Sequence, residues 1–155
     1  MPQRLSVALR AAIDPALVHL HALSEMVVVN PMREGGWSRK QELGHLIDSA
    51  TNNHVRFVVA ALENRYSGPK YDADGWVDLH GYAEMDWTDL VDLWYSMNLL
   101  LARAVARIPE ERLAAECRIG EGSDPVTLRF VIEDYVDHMQ GHLRKLLAAT
   151  AVTHQ

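Results

Sequence analysis

Along four separate stretches of this chain, apolar residues return every three to four positions, and strict alternation nowhere competes with that spacing. A helix with one apolar stripe cannot bury it alone, so four such stripes within 155 residues must bury against one another. The clearest stripe is Leu90, Leu93, Trp94, Met97, Leu101, Ala104 and Ile108, with Asp86 placed to cap its start and Pro109 to end it. The expectation is an all-α antiparallel four-helix bundle, a single domain over residues 1–155.

Punctuation residues set the limits of the other three helices. The first helical region runs over residues 4–29 and stops at Asn30-Pro31; Asp14-Pro15 inside it reads as an N-cap followed by proline, giving two pieces or one kinked helix. Ser38 and Gln41 form a capping box that opens the second helix, whose apolar residues Leu43, Leu46, Ile47, Ala50, Phe57 and Ala61 carry it to about Asn64. A long connection from Tyr66 to Met85 joins helices two and three. Its Gly68-Pro69 and Asp74-Gly75 are turn chemistry, but Tyr71, Trp76 and Tyr82 belong against a core, so this loop is expected to pack on the bundle. Asp124-Pro125 reads as N-cap and first residue of helix four, with Val131, Tyr135, Met139 and Leu146 on its apolar side and an end near Ala149.

Charge removes whole classes of function. A net charge of −6 and a pI near 5.7 argue against nucleic acid, which requires a basic face. No run of apolar residues is long enough to span a bilayer, and the N-terminus lacks the apolar core of a signal peptide, so no membrane association is expected. One cysteine, Cys117, excludes an internal disulfide and suits a reducing cytoplasm; it lies in the connection before helix four and is taken as incidental.

Eight histidines remain to be placed. His138 and His142 are four apart on helix four and share a side with Val131, Tyr135 and Met139, which sets their rings about 5–6 Å apart at Cβ. Two imidazoles at that spacing can share a metal ion; the plain alternative is a pair of half-exposed structural histidines. On helix two, His45 shares a polar stripe with Asp48, Asn52 and Arg56, which is either a solvated face or the wall of a polar cleft facing helix four. His54 falls half a turn away from His45, His19 and His21 cannot face one ion together, His80 is in the long loop and His154 in the tail. Those five are assigned no role.

The run Trp37-Ser38-x-x-x-Glu42-Leu43-x-His45-Leu46-x-Asp48, followed on helix four by Asp137-His138-x-x-x-His142, resembles the DinB-like (damage-inducible) superfamily, whose four-helix-bundle relatives include bacillithiol- and mycothiol-dependent S-transferases. Asp48-Ser49-Ala50-x-Asn52-Asn53-x-x-Arg56-Phe57, the loop segment Asp74-Gly75-Trp76-Val77, and Trp87 and Trp94 are similar to one branch of that group. The resemblance covers the whole chain. It implies a metal held by His45, His138 and His142, commonly zinc or nickel, and assembly as a homodimer.

Three neutral imidazoles leave a bound ion its full charge and an open position, as in catalytic rather than structural zinc sites. A thiol or water there loses its proton far more readily than in solution. The resemblance therefore points to a metal-dependent enzyme acting on a small molecule, transfer of a low-molecular-weight thiol first and hydrolysis second, with a non-catalytic metal-binding or interaction bundle as the third reading. Asp48, Asn52 and Arg56 are candidate pocket residues, Asn52 and Arg56 beside an anionic substrate group; Asp48 or Asp137 is a candidate to orient a ligand imidazole. For each of these the competing reading is a solvated helix residue. A di-iron carboxylate site does not fit: Glu42-x-x-His45 supplies one of the two Glu-x-x-His motifs it needs, but Tyr135 stands where the second would need Glu.

Overall fold

A computed structural model describes residues 1–148, so the end of helix four at Ala149 and the placement of His154 lie outside the described residues. The helices are α1 (Pro2–His21), α2 (Glu25–Val29), α3 (Arg39–Glu63), α4 (Ala73–His80), α5 (Trp87–Ala106) and α6 (Leu128–Ala148). Three short strands, β1 (Arg65–Gly68), β2 (Glu116–Ile119) and β3 (Val126–Thr127), form one small sheet in the order β1-β2-β3.

α1, α3, α5 and α6 make the four-helix bundle, packed in a ring α1–α5–α3–α6 around Leu9, Ile13, Leu43, Phe57, Trp94, Leu101, Ile132 and Met139. Two neighbouring pairs are antiparallel. Ser6 near the start of α1 donates to the carbonyl of Ala102 near the end of α5, and the indole N–H of Trp87 at the start of α5 donates to the carbonyl of Leu20 at 2.8 Å. Likewise the buried Arg39 at the start of α3 donates to the carbonyl of Leu146 in the last turn of α6. By contrast α3 and α5 run in the same direction: Phe57, Ala61 and Leu62 from the end of α3 line one groove with Ala104 and Ile108 at the end of α5. The strands that follow these two helices are accordingly parallel, Arg65 beside Glu116 and Gly68 beside Ile119.

Local chemistry accounts for the boundaries. The capping box at Ser38 forms in full, its hydroxyl accepting from Gln41 N–H while the Gln41 side chain accepts from Ser38 N–H. Asn64 ends α3 in the left-handed conformation that asparagine tolerates. Asp86 caps α5 through Asp89 N–H. Pro15 does not divide α1, which continues through it; the chain breaks only at Ala22–Ser24, and Ser24 then caps the short α2. One boundary is corrected: Asp124-Pro125 lies before β3, and Thr127 caps α6 by accepting from Phe130 N–H at 3.1 Å. Leu93, expected in the core stripe of α5, is 42 % exposed, while Val91, Asn98, Ala102 and Val105 are buried in its place.

The long connection packs as expected. It folds into β1, α4 and a single 3₁₀ turn at Tyr82–Glu84, and Val77 and Tyr82 are buried against the bundle, with Tyr71 and Trp76 half-buried edge to face with each other. Tyr82 lies against Gly44, where no side chain intervenes, and its hydroxyl donates to Asp48 at 2.6 Å. His80 Nδ1 reaches the same Asp48 oxygen at 3.0 Å.

Candidate metal centre

Glu42 and His45 lie three apart on α3 and so share a face, as do His138 and His142 four apart on α6. Because α3 and α6 are antiparallel neighbours, the first turns of α3 meet the last turns of α6, and these four side chains are brought together. His45, His138 and His142 each offer one ring nitrogen to a common point, the three atoms within 4.8 Å of one another. The Nε2 atoms of His138 and His142 are 3.0 Å apart, close to the about 3.3 Å edge of a tetrahedron of nitrogens around zinc.

The donor set suits a divalent cation. Glu42, itself buried, accepts a hydrogen bond from His142 Nδ1–H, which fixes the tautomer and leaves the Nε2 lone pair aimed at the common point. Burial, and then the charge that His142 and His138 would carry, pull His45 down to a pKa of about 4, so its ring is neutral and able to donate a lone pair. Burial followed by His142 depresses His138 in the same way. Burial alone would raise the Glu42 carboxyl, but the hydrogen bond from His142 and the nearby imidazoles outweigh it and hold Glu42 below the ordinary range. His45 Nδ1 is buried with no hydrogen-bond partner among the described residues, a state that in folded proteins is met by a water or an ion. Trp37 covers His45 from outside with ring centroids 5.2 Å apart, while His138 is exposed, so the cluster is closed on one side and open on the other.

The remaining candidates part company. Asp48 is fully buried but turns away to Tyr82 and His80, and Asn52 donates back to the carbonyl of Asp48, so neither reaches the cluster. Asp137 is exposed, and the carboxylate that holds an imidazole of the cluster is Glu42, at His142. His54 stays outside the cluster, as its half-turn offset requires, and His21 pairs with Asp92. Cys117 is buried in β2, and burial raises its thiol pKa. Arg56 does line a cavity of about 320 Å³ that opens beside His138, but its companions on α3 are Ser49 and Asn53 rather than Asp48 and Asn52. Sequence periodicity held the signal for Glu42, which precedes His45 by one helical turn on the same face.

Comparison with known proteins bears on the fold and the family. YfiT of Bacillus subtilis (strain 168), named as a candidate metal-dependent hydrolase, is 21% identical over 124 residues, covering 80% of this chain and 70% of that protein. A protein of Bacillus mycoides (strain KBAB4), named in the same way, is 32% identical over 57 residues, 37% of this chain and 33% of its own length. The solved structure of YfiT, described as a four-helix bundle of unusual topology, superposes with a TM-score of 0.76 at 19% identity, covering 97% of this chain and 82% of that one. The sequence model of the DinB superfamily matches residues 8–146, which includes α3 and α5 whole, most of α1 and α6, and the three converging histidines, and the chain belongs to that superfamily.

Proposed function

We propose that this chain is a metal-dependent enzyme in which His45, His138 and His142 hold one divalent ion, zinc or nickel, and that its reaction is transfer of a low-molecular-weight thiol to an electrophilic small molecule. The observation that carries this reading is the convergence of three imidazoles, closed by Trp37 on one side and open at His138 on the other, with no fourth His, Cys, Asp or Glu joining them among the described residues. When bound, such an ion supplies the Lewis acidity that makes a coordinated thiol or water a nucleophile near neutral pH. The protein's own part is to keep three lone pairs available: Glu42 holds the His142 proton on Nδ1, and burial keeps His45 unprotonated. In the transfer, sulfur bonds to the electrophilic carbon, the thiol proton goes to solvent, and the departing group or opened epoxide oxygen takes one up.

Thiol transfer is supported by the resemblance to thiol-dependent S-transferases of the same superfamily; hydrolysis, the second reading, is supported by the names of the Bacillus relatives. Homodimeric assembly belongs to the same proposal. Elemental analysis of the purified protein, followed by parallel conjugation and hydrolysis assays on metal-stripped and metal-restored samples with several small thiols, separates the readings. Metal-dependent consumption of thiol supports transfer, and metal-dependent hydrolysis without thiol consumption moves the assignment to the second reading. Activity that survives stripping would overturn both.

A further inference from the structure

Ser49, Asn53 and Arg56 continue the face of α3 that carries His45, and they wall the 320 Å³ cavity that His138 borders from α6. Arg56 is only 8 % exposed, yet no carboxylate lies within ion-pairing distance of it among the described residues. Its nearest acceptors are neutral and long: Asn53 Oδ1 at 3.5 Å and the carbonyl of Pro69 at 3.5 Å, with the Tyr71 ring centroid 5.9 Å from the guanidinium carbon. A guanidinium has five N–H donors in a fork matched to a carboxylate, and an interior charge without a counter-ion is unfavourable. The rest of the cavity is aromatic or apolar, Tyr71, Phe130 and Tyr135 among its walls, apart from Asp124 and Asp134, which are exposed. Water screens those two carboxylates where it does not screen Arg56, so the field favours one anionic group, placed at the inner end.

We propose that this cavity binds the substrate and that Arg56 takes a carboxylate of it. His45 and Arg56 are eleven residues apart on α3, about 16 Å along the axis, so the molecule is elongated: its carboxylate rests on Arg56, an apolar or aromatic body lies on Tyr71, Phe130 and Tyr135, and its reactive end reaches His138. This rests on the metal-enzyme reading for what happens at the far end, while the carboxylate site stands on its own geometry.

Benzoate and its neutral isostere benzamide, titrated into the full chain and followed by amide NMR, test it with zinc present and after chelation. Benzoate should bind both forms, shift signals of Arg56, Tyr71, Phe130 and Tyr135, and bind at least about tenfold more tightly than benzamide, as expected for a charge-assisted fork of more than 1.4 kcal/mol. Arg56→Met should abolish that preference without lowering the urea midpoint, since it removes an uncompensated interior charge; Arg56→Lys should restore part of it. Benzoate binding that is absent, equal to that of benzamide, unchanged in Arg56→Met, or confined to the zinc form would overturn the proposal. Failure to take up metal, with benzoate still bound through Arg56, would instead sink the metal reading and leave this site intact.

Discussion

Replacing Gly44 with alanine tests how the long connection is locked to the bundle, because two effects of opposite sign meet there. Alanine is the better helix former, which in an exposed helix interior is worth about 1 kcal/mol. At position 44, however, a Cβ would stand 2.0 Å from Cδ2 of Tyr82, 2.3 Å from its Cγ and 2.6 Å from Cε2. Carbon atoms rest about 3.5 Å apart, so the ring must retreat by about 1.5 Å. The ring is buried and its hydroxyl is held 2.6 Å from Asp48, so it cannot retreat without losing that bond. Overpacking costs about 1–3 kcal/mol and a lost hydrogen bond to a charged group about 1.5–3 kcal/mol. Set against the helix gain, the net is a destabilisation of about 1.5–5 kcal/mol. Gly141 in α6 is the control, since a Cβ there meets nothing nearer than Arg144 Nη2 at 3.9 Å, and Gly141→Ala should stabilise by about 0.5–1 kcal/mol. Urea unfolding followed by far-UV circular dichroism reads both. A Gly44→Ala protein as stable as wild type would refute the packing of Tyr82 on α3.

Three further outcomes follow from the site. His138→Ala should weaken metal binding by more than the about 10–100-fold typical of losing an orienting partner, while stability stays within about 0.5 kcal/mol because the side chain is exposed; full metal content by mass spectrometry would remove His138 from the ligand set. Glu42→Gln keeps an acceptor for His142 Nδ1–H but not its charge, and should lower metal affinity about tenfold with the fold unchanged; unaltered affinity in a competition titration would show that Glu42 does not orient the ligand. In the metal-free protein His45 takes up a proton in the unfolded chain near its ordinary 6.5 but in the folded chain only near 4, so stability should be full above that window and fall by up to about 3 kcal/mol as pH drops through it. A His45→Gln variant with the same slope between those limits would disprove the assignment.

Much of the fold was written locally. Ser38 and Gln41, Asp86, and the stripe through Leu90, Trp94 and Leu101 depend on neighbours within one or two turns, and each element began or packed where those residues indicated. The histidine pair on α6 was legible for the same reason. Choices between adjacent faces were not. Asp48 and Ser49 differ by one residue on α3, and only the partner elements decide that Asp48 meets Tyr82 while Ser49 faces the cavity. Asp124-Pro125 carried a helix-start signal that tertiary structure overrode, because the chain first adds β3 to the sheet, Glu116 opposite Thr127 and Cys117 opposite Val126. Strands of two to four residues leave no periodicity to detect, and β1 finds β2 some fifty residues away.

The length of the second connection and the existence of the sheet have one cause. α3 has 25 residues and rises about 37 Å, and α5 runs beside it in the same direction, so the chain must travel that distance back before α5 can begin. A short hairpin loop cannot do this; parallel neighbours demand a crossover, as parallel strands do. The return path lays Tyr82 against the start of α3, while β1 stays at its end. Since α5 finishes at that same end and α6 starts there, β2 and β3 have β1 within reach and complete the sheet. Ile119 at the end of β2 and Val126 in β3 then close the cavity whose other end is bordered by His138. The bundle by itself assembles the three histidines; the crossover and the sheet it makes possible build the chamber beside them.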